Sequence, residues 1–383
     1  MRGIKRINIK RSFLRKLISV FSVTAIVLIV FIAVFMSARS AGNVTFSNIT
    51  DGFRQVFFSE HTSGYPYTNK DLTFREIKAI GDSVLLLNAD SAYVMTPSAK
   101  ITARIALDSA DTKVKTCNGR ALIYENSKNS VVLTGKTEKL TQVSLQDEIL
   151  TAVIGKSGAF AVALKDEEAC SKVIVYDRSS NEIFGWKFAN ERISDMAFSS
   201  NGKKLAVTVC SAKNAVIYSR IVVFDIAKNE MLEDIRFDGC MMLRVCYTSR
   251  GRLVAVGDSQ YVIYNKDFQR VDGLEYSENT LSSVSIDDNG NTVLAFTQNG
   301  TSKLSVVRHN ASGKKTFSVV LEGTDAKLYA DGPKTAVVCG EKVTVLNSSG
   351  ETVEEITLDS TPDSLAYSSG DIFTLETGAV KKY

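Results

Sequence analysis

From residue 76 to its end the chain alternates short apolar runs with polar turns, and the alternation repeats. A glycine-containing turn recurs at Gly81, Gly119, Gly158, Gly202, Gly251, Gly290, Gly332 and Gly370, at spacings of 38, 39, 44, 49, 39, 42 and 38 residues. Behind each glycine lies a run rich in β-branched and aromatic residues: VLLLN at 84, ALIYE at 121, FAVAL at 160, LAVTV at 205, LVAVG at 253, VLAFT at 293, TAVVC at 335 and IFTLE at 372. Runs of this kind bounded by turn residues are strand chemistry. A third run follows in every unit, from AYVMT at 92 to AVKKY at 379, and a fourth follows in seven, from ITARIAL at 101 to TVEEITL at 352. Four strands in about 40 residues make the blade of a β-propeller, whose sheets bury both faces against their neighbours. Eight units in phase are too many for the two packed sheets of a β-sandwich. The pattern therefore predicts an all-β, eight-bladed β-propeller over residues 64–383, with the glycines in hairpins where a positive φ costs them little.

The eighth unit stops at Tyr383 after three strands, so the ring needs a closing strand from elsewhere. Tyr65-Pro66-Tyr67-Thr68 is one candidate, because an edge strand tolerates proline. FRQVFF at 53 is the other, but Phe46, Ile49, Phe53, Val56 and Phe57 recur at helical spacing, which predicts a short amphipathic helix over 46–58 within a linker at 38–63. Ring closure between N- and C-terminal strands is the expectation.

The start of the chain changes the picture. Residues 1–16 carry Arg2, Lys5, Arg6, Lys10, Arg11, Arg15 and Lys16, and no acid precedes Asp51. The following segment, 17–37, is uncharged and, at about 1.5 Å per residue, spans about 30 Å as a helix, the thickness of a bilayer core. It exceeds the apolar stretch of a secretory signal, and Ala38-Arg39-Ser40 is a poor cleavage site. The expectation is a single uncleaved transmembrane helix with a cytoplasmic tail at 1–16 and an extracytoplasmic propeller, since cations concentrate on the inner side. Without the seven tail cations, 39 of the 46 Lys and Arg face 42 Asp and Glu. A body near neutrality argues against a nucleic-acid partner.

FSSNGKKLAV at 198 and IDDNGNTVLAF at 286 resemble the strand, turn and strand of WD-repeat and quinoprotein-like propellers, although no unit ends in Trp-Asp or carries a Gly-His pair. Taken with the basic tail, the single span, GYPY at 64 and the LLLN, AYVMT and ALIYE strands, the chain is similar to a bacterial family of membrane-anchored propellers catalogued as domain of unknown function 5711. That resemblance implies placement and fold and supplies no catalytic residues.

Candidate chemistry is sparse. The two histidines, His61 and His309, lie in no nucleophile motif and are expected to be solvated or at a strand edge. Cys117, Cys170, Cys210, Cys240, Cys246 and Cys339 form no CxxC pair and are expected as small buried hydrophobes; Cys240 and Cys246 are the one pair near enough in sequence for a bridge. Gly155-Lys156-Ser157 has the tail of a phosphate loop without its upstream glycine and reads as a hairpin. Asp287-Asp288-Asn289-Gly290-Asn291 lacks the sixth-position glycine and closing glutamate of a calcium loop and reads as an Asn-Gly turn. Glu167-Glu168 and Glu354-Glu355 read as surface charge. Asn43, Asn48, Asn299, Asn310 and Asn347 sit in glycosylation-type triplets that composition alone produces. Trp186 alternates with Phe184 and Phe188, as packing between blades requires.

No cofactor, metal or catalytic set is expected. The reading that follows is a non-enzymatic, membrane-tethered propeller that binds a protein, peptide or glycan outside the cell. The alternative is an extracytoplasmic enzyme acting on an envelope glycan through channel carboxylates, a chemistry that needs no histidine.

Overall fold

Second and third strands made almost wholly of Val, Leu, Ile and Ala have no polar face to offer water, so each sheet must be covered on both sides. The computed structural model, which describes residues 64–383 apart from 70–71, 108–110, 126–128, 278, 299 and 324, shows how that is met. Seven four-stranded antiparallel sheets and one three-stranded sheet each keep their strands in chain order. Their first strands are Glu76–Ile80, Thr112–Cys117, Ile149–Ile154, Arg192–Phe198, Met242–Tyr247, Asn279–Ile286, Lys327–Asp331 and Ser364–Ser368, and all eight contribute to the wall of one central cavity. Residues Ser83–Leu87 and Ser91–Met95, second and third strands of blade 1, are buried throughout, whereas the outer Thr352–Thr357 is largely exposed. The hydrophobic core is accordingly divided into eight clusters, one at each junction between consecutive blades. This is the eight-bladed propeller that the repeat predicts.

The eight register glycines all take positive φ, between 53° and 90°, in the turn from first to second strand. At Gly290 the constraint is double: φ is +82°, and a Cβ would lie 2.5 Å from Thr248 Cα in the neighbouring turn. The turn from third to fourth strand carries its own signature. In all seven complete blades the pairing slips by one residue there, the geometry of a bulged hairpin. Asp177, Asn265, Asn310 and Asn347 each close that turn by accepting two backbone amides.

Blade 8 consists of Ser364–Ser368, Asp371–Glu376 and Ala379–Lys382, and Tyr67 pairs antiparallel with Val380 at its edge. Two backbone bonds make the bridge, Tyr67 N–H to Val380 O at 2.8 Å and Val380 N–H to Tyr67 O at 2.9 Å. Inside the ring, Ser364 Oγ accepts from Ile77 N at 3.1 Å, and Ser368 Oγ donates to Gly81 O. The first strands of blades 8 and 1 are thus joined through serine hydroxyls.

The basic tail, the apolar segment at 17–37, the linker and its helix, FRQVFF at 53, His61, Asn43, Asn48 and Asn299 lie outside the described residues. Among the described residues no helix is long and apolar enough to cross a membrane.

Candidate functional site

Because the inner strands run side by side, their turns gather at one face of the ring. Asn118 Nδ2 donates to Lys156 O, Ser200 Oγ to Thr248 O, and Ser249 N to Asn289 O, linking first-to-second-strand turns of adjacent blades. The third-to-fourth-strand turns share this face. On the opposite face lie the second-to-third-strand turns and the connections between consecutive blades. Those two sets of loops, taken over the described residues, hold thirteen Asp and Glu and no Lys or Arg. Cations at the strand ends answer part of this charge: Lys165 pairs with Glu148, Lys172 with Asp147 and Asp166, Lys187 with Asp166 and Glu168, Arg220 with Glu191 and Lys381 with Asp359, while Arg75 is occupied by Asn88 O and Thr112. Counted the same way, the loops of the first face hold ten Lys and Arg against seven Asp and Glu. The ring is electrically polarised from one face to the other. The chain joins it on the cation-bearing face, where Tyr65 Oη donates to Thr96 O at 3.0 Å.

One blade overshoots the rest on the acidic face. In blade 4 the second and third strands, Lys204–Lys213 and Val216–Asp225, run to ten residues each and turn through Asn214 and Ala215, both at positive φ. At the tip Val216 and Ile217 are 53% and 51% exposed. Arg236 lies over the Tyr218 ring at 4.2 Å, which braces the base of this hairpin.

Between the faces lies the cavity of about 600 Å³. Lys78, Lys115, Asp195 and Arg244 line its wall. Lys115 Nζ is 3.9 Å from Asp195 Oδ1, while Asp195 Oδ2 accepts from Val245 N at 3.0 Å. Burial pushes the Lys115 ammonium down, Asp195 opposes that, and Arg244, Lys78 and Lys113 add to it. The pairing of the first strand slips just before Asp195 in blade 4 and just before Arg244 in blade 5, so each is placed by a bulge. Toward the cation-bearing face the wall carries Cys117, Lys156, Asp287, Asp288 and Asp331. Desolvation by the surrounding channel wall raises the carboxyls of Asp288, which is itself exposed, and of half-buried Asp331, with Asp287 adding repulsion at both, and Cys117 is pushed up to about 12 by burial and then by Asp288.

The residues singled out in the sequence are dispersed. Lys156 and Asp287–Asn291 stand in channel-end turns: Asp287 Oδ1 accepts from Asn289 N and Asn291 N at 2.9 Å each, and among the described residues no cluster of His, Cys, Asp and Glu is arranged to hold a metal ion. All six cysteines are free, so Cys240 and Cys246 do not bridge; Cys240 is buried beside Gly257, Cys246 lines the channel, and Cys170 is exposed, contrary to the expectation of burial. His309 is also a correction. It is buried, not solvated, with its ring tilted at 32° against that of Tyr261 of blade 5 at 4.6 Å, because the end of its strand is covered by the neighbouring blade. Trp186 and Phe184 of blade 3 pack on Phe224 of blade 4, at 5.0 and 5.2 Å. Glu168 pairs with Lys187, Glu355 with Lys342, and Asn310 and Asn347 are turn residues. Sequence reading missed the channel cations and the polarity of the loops. The polarity was legible once strands and turns were assigned to phases.

A family model described as Family of unknown function (DUF5711) matches residues 55–375. No curated protein matches the sequence. Among solved structures, Sqt1 of Saccharomyces cerevisiae is similar at TM-score 0.58 and 12% identity, over 83% of this chain and 97% of that one. BamB of Moraxella catarrhalis is similar at TM-score 0.51 and 14% identity, over 85% of this chain and 97% of that one. At such identity these likenesses speak for the fold alone.

Proposed function

We propose that this chain, which belongs to the DUF5711 family of unknown function, is a membrane-tethered extracytoplasmic propeller that recognises a protein or peptide partner and performs no chemistry on it. The observation that carries this reading is the acidic face with the blade 4 hairpin rising from it. Rigid strands hold its loops, as binding surfaces on scaffolds require. The carboxylate excess of those loops over the described residues, thirteen of which six are paired with strand cations, favours a partner segment rich in Lys and Arg, and steers it by long-range attraction. Val216 and Ile217 supply the apolar contact that charge alone lacks. Tethering rests on the uncharged segment at 17–37 and the seven cations before it.

Affinity capture with the full-length protein from the envelope of producing cells tests the binding reading. A specific partner is expected to be retained by wild type at low salt, released as salt rises, and lost by V216D/I217D but not by K228Q on the opposite face. Retention by V216D/I217D would refute the assigned surface. Protease added to intact protoplasts tests the tether: the propeller is degraded and the tail spared, and protection of the propeller would refute the orientation.

The enzymatic alternative has one observation in its favour, the raised carboxyls of Asp288 and Asp331 at one end of the channel. Turnover of an envelope glycan that D288N or D331N abolishes in a folded protein would replace the binding reading with that one.

A further inference from the structure

The middle of the channel is chemically unlike either face. Lys78 of blade 1, Lys115 of blade 2 and Arg244 of blade 5 reach one cavity from three sides; Glu76 and Asp195 lie beside the two lysines, and Asp287, Asp288 and Asp331, with Lys156, line the same cavity toward its cation-bearing end. Glu76 and Asp195 each offset one lysine and leave Arg244 without a partner of its own. Glu76 is held 3.0 Å from Lys78 at the start of the same strand, and Asp195 is committed to the amide of Val245 while lying 3.9 Å from Lys115. The Arg244 guanidinium has no hydrogen bond or ion pair to any described residue. Like charges that share a low-dielectric space repel. Burial is the first cause of the depressed Lys115 ammonium, Asp195 opposes it, and Arg244, Lys78 and Lys113 add to the depression.

The placement is specific. The pairing slips between Met242, opposite Gly257, and Arg244, opposite Val256, and such bulges commonly re-aim a side chain beside a functional site. The cavity, about 600 Å³, falls in the usual range for small-molecule sites, and first strands surround it. A guanidinium offers two parallel donors to a planar carboxylate or a phosphate, and the two ammonium groups offer charge to a second anionic group.

We propose that the central channel binds a small polyanion, bearing two or more carboxylate or phosphate groups, clamped by Arg244, Lys115 and Lys78. This site is separate from the acidic loop face and does not depend on it.

Isothermal titration of the full-length protein with pyrophosphate and with citrate, each as a defined probe, tests the proposal. Saturable binding of at least one probe is expected, with Kd raised about tenfold or more by R244Q and by K115M, retained by K115R, and unchanged by K228Q on an outer turn. Pyrophosphate alone would name a phosphate ligand, citrate alone a carboxylate, and binding of both would assign recognition to charge. Melting curves establish that each variant is folded; should R244Q fail to fold, K78M carries the test. Absence of binding of both probes to folded wild type at millimolar concentration, an unchanged Kd in folded R244Q and K115M, or an equal loss in K228Q would overturn the site.

Discussion

Asp288 of blade 6 accepts a hydrogen bond at 3.3 Å from the backbone amide of Asn118, which belongs to blade 2, the blade diametrically opposite in a ring of eight. The turn Asp287–Asn291 therefore reaches over one end of the channel, anchored to blade 5 by Ser249 N donating to Asn289 O. Asp287, Asp288 and Asn289 line that end, and the close approach of Gly290 to Thr248 sets the path.

D288A is expected to uncover that end and to lower the Cys117 pKa by removing one of its two causes of elevation. Alkylation of Cys117 near pH 8 should then accelerate several-fold, with exposed Cys170 as the internal reference. Peptide mass spectrometry over time measures both. An unchanged Cys117 rate would mean that Asp288 does not guard the channel.

Gly290→Ala must accept both a positive φ and a clash with backbone, so a cost of about 2–4 kcal/mol is expected. Gly370→Ala has the same backbone sign and open space, and should cost about 1–2 kcal/mol. Denaturant midpoints of the two variants check the difference; equal losses would mean that the packing against Thr248 contributes nothing.

Closure of the ring couples its ends. Removing residues 379–383 deletes both Tyr67–Val380 bonds and strips Glu376, fully buried, of Lys381 at 3.0 Å and of the Tyr383 hydroxyl at 3.2 Å. Breaking a buried pair in this way costs about 3–5 kcal/mol. A chain beginning at Phe74 loses Tyr67 and should melt lower, while one beginning near residue 60 keeps it. Hydrogen exchange should show blades 1 and 8 losing protection together, with blade 4 unaffected. Loss in blade 8 alone would place the closing strand elsewhere.

Two groups define separate acid limbs. Burial depresses His309 from 6.5 to about 4, so the unfolded chain takes up its proton first, and stability is full above pH 6.5 and falls as pH drops toward 4. The ceiling on this loss is about 3 kcal/mol. His309→Phe, which keeps a ring against Tyr261, should flatten that window. Burial raises the Glu376 carboxyl, but hydrogen bonds from Thr374 and Lys381 outweigh it and hold the group below its usual range. Its contribution is present above the usual glutamate pKa and is lost at more acidic pH, as the native value is crossed. Lys381→Ala should shift that lower limb and leave the His309 window unchanged, as unfolding titrations between pH 3 and 8 would show.

Much of this architecture could be read from residues alone because each blade repeats one glycine at one position, and a single physical need, positive φ, keeps it there. The spacing of 49 residues from Gly202 to Gly251 marked the long hairpin of blade 4, though its meaning emerged with the strand lengths. The channel was harder to foresee. Lys78, Lys115 and Arg244 lie far apart in sequence, and the bulges before Asp195 and Arg244 follow runs, ISD and MLR, that nothing in composition separates from regular strand. His309 was misjudged because a strand end reads as an edge in sequence, whereas here the neighbouring blade covers it with Tyr261.

Site-specific photo-crosslinking in living cells probes the recognition surface most directly. With the crosslinker at position 217, on the acidic face, one saturable crosslinked species should form, weaken as external salt rises, and disappear when carboxylates of the adjoining loops, Asp166, Glu167 and Glu168, are replaced by Asn and Gln. With the crosslinker at position 201, on the opposite face, no such species should form. Crosslinks of equal yield from 201 and 217, or a specific species from 201 alone, would contradict a partner-binding propeller that works through its acidic face.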